Sequence, residues 1–279
     1  MLRLGVRAHD FGKMPLADLA ATIAGHGLCC VQFAAPKSIP DFESDAGRLS
    51  PGLAVQVRET FQHAGIQIAV LGCYINLADP DEQQRRFHLG RFKDYLRHAR
   101  DFGCSVVGTE TGSLHSDFSW HPENQGEAAF QTVLAGVRDL VAEAEKFGVC
   151  VGIEGVERYV ISSPGRLHRL LQEVGSNNLQ VIFDPVNLLS VENHSAQREI
   201  IDESFARFGD RIAIVHVKDF VVGDHQVRSV PAGQGQLDFG HLFRLLKSRK
   251  PGISVLLEDT QPSTIAATVQ FVRDAYARA

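Results

Sequence analysis

Residues 150–184 read CVGIEGVERYVISSPGRLHRLLQEVGSNNLQVIFD, and they contain one complete repeat of the fold. The segment opens with a continuous apolar run ending in Glu154 and closes with a second one, Val181-Ile182-Phe183, ending in Asp184. Between them Ser163 is placed to cap a helix, Pro164 fits its first position, and Leu167, Leu170 and Leu171 fall on one stripe before Gly175. The runs do not alternate apolar with polar, so they suit strands buried on both faces. Such strands belong to parallel sheets, whose connections are helices.

The same unit recurs in both directions. Apolar runs at residues 2–6, 29–33, 66–71, 105–109, 150–154, 179–184, 212–216 and 253–258 make eight strand candidates. Helical spacing fills residues 16–26, 51–63, 81–102, 123–147, 164–174, 196–208, 239–247 and 263–276. Ser50 with Pro51, Ser163 with Pro164, and Asp238 mark three helix starts. Gly65, Gly103, Gly148, Gly175 and Gly209 are expected as left-handed caps before the next strand. Eight such units in 279 residues average about 35 each, and eight right-handed crossovers close a (β/α)8 TIM barrel. No linker interrupts them, so residues 1–279 are expected to form a single α/β domain. A doubly wound open sheet would carry a Gly-rich turn after its first strand, whereas the turn here is Val6-Arg7-Ala8-His9-Asp10.

Composition narrows the function. The net charge is −5 without a polybasic run, which opposes nucleic acid and anionic membrane as partners. No apolar stretch is long enough to span a bilayer, and the N-terminus lacks the form of a signal peptide. The cysteines, 5 in number and with no CxxC spacing, read as reduced core residues, so a cytoplasmic location is expected.

In a barrel the chemistry collects where strands end, at the loops leading into the helices. The last five runs end on Glu110, Glu154, Asp184, His216 and Glu258, and the last four of these are 30, 32 and 42 residues apart, about one unit per step. Three carboxylates converging on one rim would repel, and a divalent cation relieves that repulsion. The set Glu154, Asp184, His216 and Glu258 therefore reads as the ligands of one divalent metal. Three oxygens and one nitrogen suit Mn²⁺, Co²⁺, Mg²⁺ or Zn²⁺.

The motifs Gly152-Ile153-Glu154, Val181-Ile182-Phe183-Asp184-Pro185-Val186-Asn187, Val215-His216-Val217-Lys218-Asp219, Pro231-Ala232-Gly233-Gln234-Gly235 and Leu256-Leu257-Glu258 resemble those of the xylose-isomerase-like TIM-barrel superfamily. Within it they are similar to the sugar phosphate isomerase/epimerase branch. The resemblance implies a single divalent metal on the same four residues and a small carbohydrate substrate. It also implies proton transfer beside a carbonyl through a metal-stabilised enediolate, with Glu154 and Glu258 as acid and base. It places Asn187 and, less directly, Arg228 at the substrate. Pairing into a homodimer is a further expectation from the resemblance.

Other residues are expected near the substrate. Lys218 either stabilises oxyanion charge or pairs with its neighbour Asp219, the pairing being preferred. Glu110 orients substrate or caps a helix, and His9 follows the first strand on the same rim. The Gly-rich segment 220–237 has the length of a lid or binding loop. Trp120 is a candidate apolar wall. Three rival readings remain. The first is a metal-dependent dehydratase of inosose or dehydroshikimate-like compounds. The second is an endonuclease-IV-like nuclease, which needs histidines that the second and third strand ends lack. The third is a non-catalytic binding protein.

Overall fold

The computed structural model describes residues 2–42 and 45–279. The chain runs β1 (Arg3–Arg7), α1 (Leu16–Gly25), β2 (Cys30–Phe33), the single-turn α2 (Ala35–Ser38), α3 (Pro51–His63), β3 (Gln67–Gly72), α4 (Glu82–His98), β4 (Val106–Glu110), α5 (Glu127–Phe147) and β5 (Cys150–Glu154). It continues through α6 (Pro164–Val174), β6 (Leu179–Phe183), α7 (Gln197–Phe208), β7 (Ile212–Val217), β8 (Asp219–Gly223), β9 (Gln226–Val230), α8 (Phe239–Arg249), β10 (Ser254–Leu257) and α9 (Ile265–Arg278). Eight strands pair in parallel as a closed barrel in the order β1-β10-β7-β6-β5-β4-β3-β2. This is the (β/α)8 TIM barrel expected from the sequence.

Each element obeys its local chemistry. Ser50 accepts from the Leu53 amide at 3.2 Å, Ser163 from Arg166 at 3.3 Å and Asp238 from His241 at 2.9 Å, so the three expected caps form. Four of the five expected glycine caps are left-handed, but Gly209 has φ −57° because Phe208 already leaves helical geometry there. The helix expected from residue 123 begins as a 3-10 turn, Pro122–Gln125, ahead of α5. Segment 220–237, expected as a lid or binding loop, has regular structure of its own. It carries the antiparallel hairpin β8–β9, turned by Asp224 and His225 at φ 51° and 57°. Two left-handed central residues are what a tight hairpin turn requires, and Val221, Val222 and Val227 supply the strand propensity.

The barrel interior follows a period of two. Cys30, Val70, Ile182, Ile214 and Leu256 form a buried cluster inside the barrel. Gly108 and Gly152 belong to the same parity, and there is no room for more at either. A Cβ on Gly152 would stand 2.8 Å from Val106 and 3.1 Å from Ile182. Two residues further along each strand the parity returns to the interior, at the end where the strands open into the helices. Those positions are Arg7, Gln32, Gly72, Glu110, Glu154, Asp184, His216 and Glu258, so a layer that is polar at every strand but β3 rests directly on an apolar one.

Candidate metal centre and active site

Four side chains of that polar layer meet. One donor atom each from Glu154, Asp184, His216 and Glu258 lies within 4.8 Å of the others, and the four residues are 0–6% exposed. Their strands are consecutive in the barrel, β10-β7-β6-β5, so strand pairing brings positions 104 residues apart onto one half of the rim.

The neighbours set each donor. Asn187 Nδ2 donates to Glu154 Oε1 at 2.7 Å. The Val186 and Asn187 amides donate to Asp184 Oδ1 at 2.8 and 3.2 Å, leaving Oδ2 buried without a hydrogen bond. His216 turns Nδ1 toward Glu154 Oε1 at 3.2 Å and Glu258 Oε2 at 3.7 Å. Its Nε2 donates to Gln32 Oε1 at 2.8 Å, and Gln32 in turn donates to the Tyr74 hydroxyl. This second contact fixes the ring so that Nδ1 is the nitrogen presented to the carboxylates.

Lys218 is buried, with its ammonium 2.9 Å from Glu258 Oε2 and 3.2 Å from Asp184 Oδ2. The expected pair with Asp219 does not form, because adjacent residues of an extended chain point to opposite sides. Asp219 instead accepts four backbone amides: Phe220 and Leu237 on Oδ1 at 2.9 and 2.8 Å, and Gly233 and Gly235 on Oδ2 at 3.0 and 2.9 Å. Arg7 donates to Glu258, to Asp10 at 3.0 Å and to Asp259 at 2.7 Å. Asp259 itself takes the left-handed φ of 55°, an uncommon conformation outside glycine.

These charges move one another. Burial raises the Asp184 carboxyl to about 8 against the opposing pull of Lys218, with Glu258 and Glu154 adding to the rise. Burial opposes protonation of His216, but Glu154, Glu258 and Asp184 outweigh it and lift the ring to about 9. Burial also works against the Glu258 carboxylate, yet Lys218, Arg7 and His216 hold it well below the usual range. Glu110 is pushed up to about 7 by burial, then by Glu154 and Glu258.

The donor set fits a divalent cation. Three carboxylates and an imidazole share one small volume, one buried carboxylate oxygen makes no hydrogen bond, and the imidazole is held by its far nitrogen.

Above the cluster opens a cavity of about 680 Å³, lined by residues including Arg7, Glu110, Asn187, Lys218 and Glu258. Three other expected residues do not line this cavity. Arg228 has the opposite parity to the lining residues Val227 and Ser229, and its guanidinium is 3.8 Å from Asp224. His9 sits in the 3-10 turn Ala8–Phe11, outside the lining, where burial and then the Arg7 charge push it down to about 3. Trp120 is 57% exposed and also outside the lining. Arg7, Gln32 and Tyr74 did not figure among the residues expected at the site. The signal for the first two was available, since each stands two positions beyond an inward strand residue, at the same place as Glu154 beyond Gly152.

Comparison with known proteins follows the same lines. A protein of Haemophilus influenzae, provisionally named L-ribulose-5-phosphate 3-epimerase SgbU, is 28% identical over 174 residues, which cover 58% of this chain and 58% of that protein. The D-psicose 3-epimerase of Clostridium cellulolyticum H10, solved with D-tagatose, superposes with a TM-score of 0.75 over 99% of both chains at 14% identity. The IolI protein, solved with a bound zinc atom, gives a TM-score of 0.75 over 99% of both chains at 16% identity. No helix among the described residues is long and apolar enough to cross a membrane. The sequence model of the xylose isomerase-like TIM barrel family matches residues 20–275, and the chain belongs to that family.

Proposed function

We propose that this chain is a divalent-metal-dependent sugar epimerase that removes a proton from the carbon beside a ketose carbonyl and returns it on the opposite face. The observation that carries this reading is the buried cluster of Glu154, Asp184, His216 and Glu258, of which Glu258 also lines a cavity large enough for a small sugar. The four residues would hold the ion, which supplies Lewis-acid polarisation of the substrate carbonyl. The family membership and the epimerase names of the relatives support the same reaction class.

Glu154 and Glu258 are the proton carriers in this reading, standing on β5 and β10 with two strands between them. Asn187 holds the Glu154 carboxylate through one oxygen. Lys218 and Arg7 hold both oxygens of Glu258, which fixes its direction and stabilises its anion. Glu110 lines the cavity and is the candidate for orienting substrate hydroxyls. Arg228, beside Asp224 in the hairpin, and His9, in the 3-10 turn after β1, are given no role in the proposed mechanism.

The test is incubation of the Mn²⁺-loaded protein with ketoses and their phosphates in D₂O, following loss of the carbon-bound proton by NMR. Exchange with formation of the epimer is expected. Loss of water, or a new aldose as the main product, would replace the epimerase with a dehydratase or an aldose–ketose isomerase.

A further inference from the structure

We propose that this cavity takes an uncharged ketose rather than a sugar phosphate, because the loops that would grip a phosphate are already filled by the chain's own carboxylates. The inference rests on the epimerase reading of the same site. In barrel enzymes a phosphate is commonly bound by backbone amides of the last two strand–helix loops and by a helix N-terminus. The loop after β7 has the glycines for such a nest, in Ala232-Gly233-Gln234-Gly235. Its amides are taken: Gly233, Gly235 and Leu237 all donate to Asp219, which is 2% exposed. A Cβ on Gly235 would collide with the Phe220 carbonyl and with Asp219 itself, so no anion fits between them. The next helix start is closed as well, since Asp238 caps α8 and pairs with Arg198.

The loop after β10 repeats the pattern. The Thr260 amide and hydroxyl donate to Asp10 Oδ2 at 2.9 and 3.0 Å, and the Gln261 amide donates to Thr264 Oγ1 at 3.0 Å. Both places where a phosphate would find oriented amides therefore hold a carboxylate or a hydroxyl.

The two buried cations of the cavity are paired too. Arg7 is spread over Asp10, Glu258 and Asp259, and Lys218 bridges Glu258 and Asp184. Arg158, exposed at the mouth, stacks over Tyr159 at 5.2 Å and donates to its hydroxyl at 3.3 Å. Glu110, Glu157 and Glu192 line the same cavity. A dianionic phosphate would meet these carboxylates with Arg158 as the one arginine or lysine of the lining that is not paired with a carboxylate, and like charges brought together in an interface are costly. Sugar hydroxyls suit the same wall, since carboxylates accept their hydrogen bonds and Ser229 can both donate and accept.

The experiment pairs each ketose with its phosphate: D-fructose with D-fructose 6-phosphate, and L-ribulose with L-ribulose 5-phosphate. Saturation-transfer NMR reads binding to the metal-loaded full chain, and deuterium incorporation reads turnover. The free ketose is expected to bind, and to exchange with a kcat/KM at least about tenfold above its phosphate. Tighter binding or faster exchange by the phosphate members overturns the inference and leaves the epimerase reading standing. Binding of free ketoses without any exchange upholds the ligand class and removes the epimerase reading. Failure of every free ketose to bind overturns the inference.

Discussion

At the scale of single residues, the site depends on groups that never touch the substrate. His216 presents Nδ1 to the carboxylates only because Nε2 is engaged by Gln32, which Tyr74 holds in turn. Gln32→Leu removes that acceptor, leaves Nε2 buried without a partner and frees the ring to adopt the other tautomer. Loss of an outer partner of this kind typically weakens a metal site by about 10–100-fold, and that loss is expected here for Mn²⁺ or Zn²⁺ in a competition titration. An unchanged metal affinity in a folded Gln32→Leu protein would remove Gln32 from this role. The glutamates predict a different signature. Glu154→Gln and Glu258→Gln keep shape and volume but lose the capacity to carry a proton, so both are expected to fold and to lose more than about nine-tenths of kcat. Circular dichroism checks the fold and the D₂O exchange rate checks the chemistry. Retention of more than about a tenth of wild-type turnover by either variant would rule that glutamate out as a proton carrier.

At the scale of elements, the strand ends were the legible part, and the reason is physical. A strand buried on both faces must be apolar until it reaches the rim, so the first charged residue after each run marks the rim by itself. That logic finds Glu154, Asp184, His216 and Glu258, each of which follows three apolar residues. It passes over Arg7 and Gln32. Arg7 reads as the first residue of a turn, and Gln32 lies inside an apolar run, between Val31 and Phe33. Only the alternation of inward and outward residues singles them out. It also misreads Lys218, whose chain neighbour Asp219 faces away from it. Asp219 instead organises the hairpin β8–β9 and its return, and this makes the hairpin's dependence on one carboxylate testable. Asp219→Ala strands four amides, three of them in the return segment 233–237. With each buried unsatisfied donor costing about 1–3 kcal/mol before relaxation, a loss of about 3 kcal/mol or more is expected in urea unfolding. Hydrogen exchange should show the Gly233, Gly235 and Leu237 amides losing protection first. Protection of these amides equal to wild type would mean that the segment is held by other contacts.

At the scale of the whole molecule, the polar layer costs stability that the rest of the barrel has to supply. Burying ionised groups carries a penalty of several kcal/mol each, offset here in part by Lys218 and Arg7. The apolar cluster beneath and the ring of helices outside provide the compensation, and parallel pairing all the way round leaves the barrel without a free edge. A ligand that binds only the folded chain shifts this balance by mass action, because the four donors come from strands that are brought together only by pairing in the folded sheet. At a free ion concentration 100 times the dissociation constant, the gain is about 2.7 kcal/mol. For a chain of this size that corresponds to a rise of about 5–10 °C in Tm. Chelator-treated protein is therefore expected to melt that much lower than the same protein with excess Mn²⁺, Co²⁺ or Zn²⁺. Asp184→Asn weakens the ligand whose buried Oδ2 makes no hydrogen bond and meets the Lys218 ammonium, and it should abolish most of the difference while leaving the chelated protein folded. If none of Mn²⁺, Co²⁺, Mg²⁺ and Zn²⁺ moves the wild-type transition, the four residues do not form a metal centre, and Lys218 and Arg7 alone account for the burial of the carboxylates.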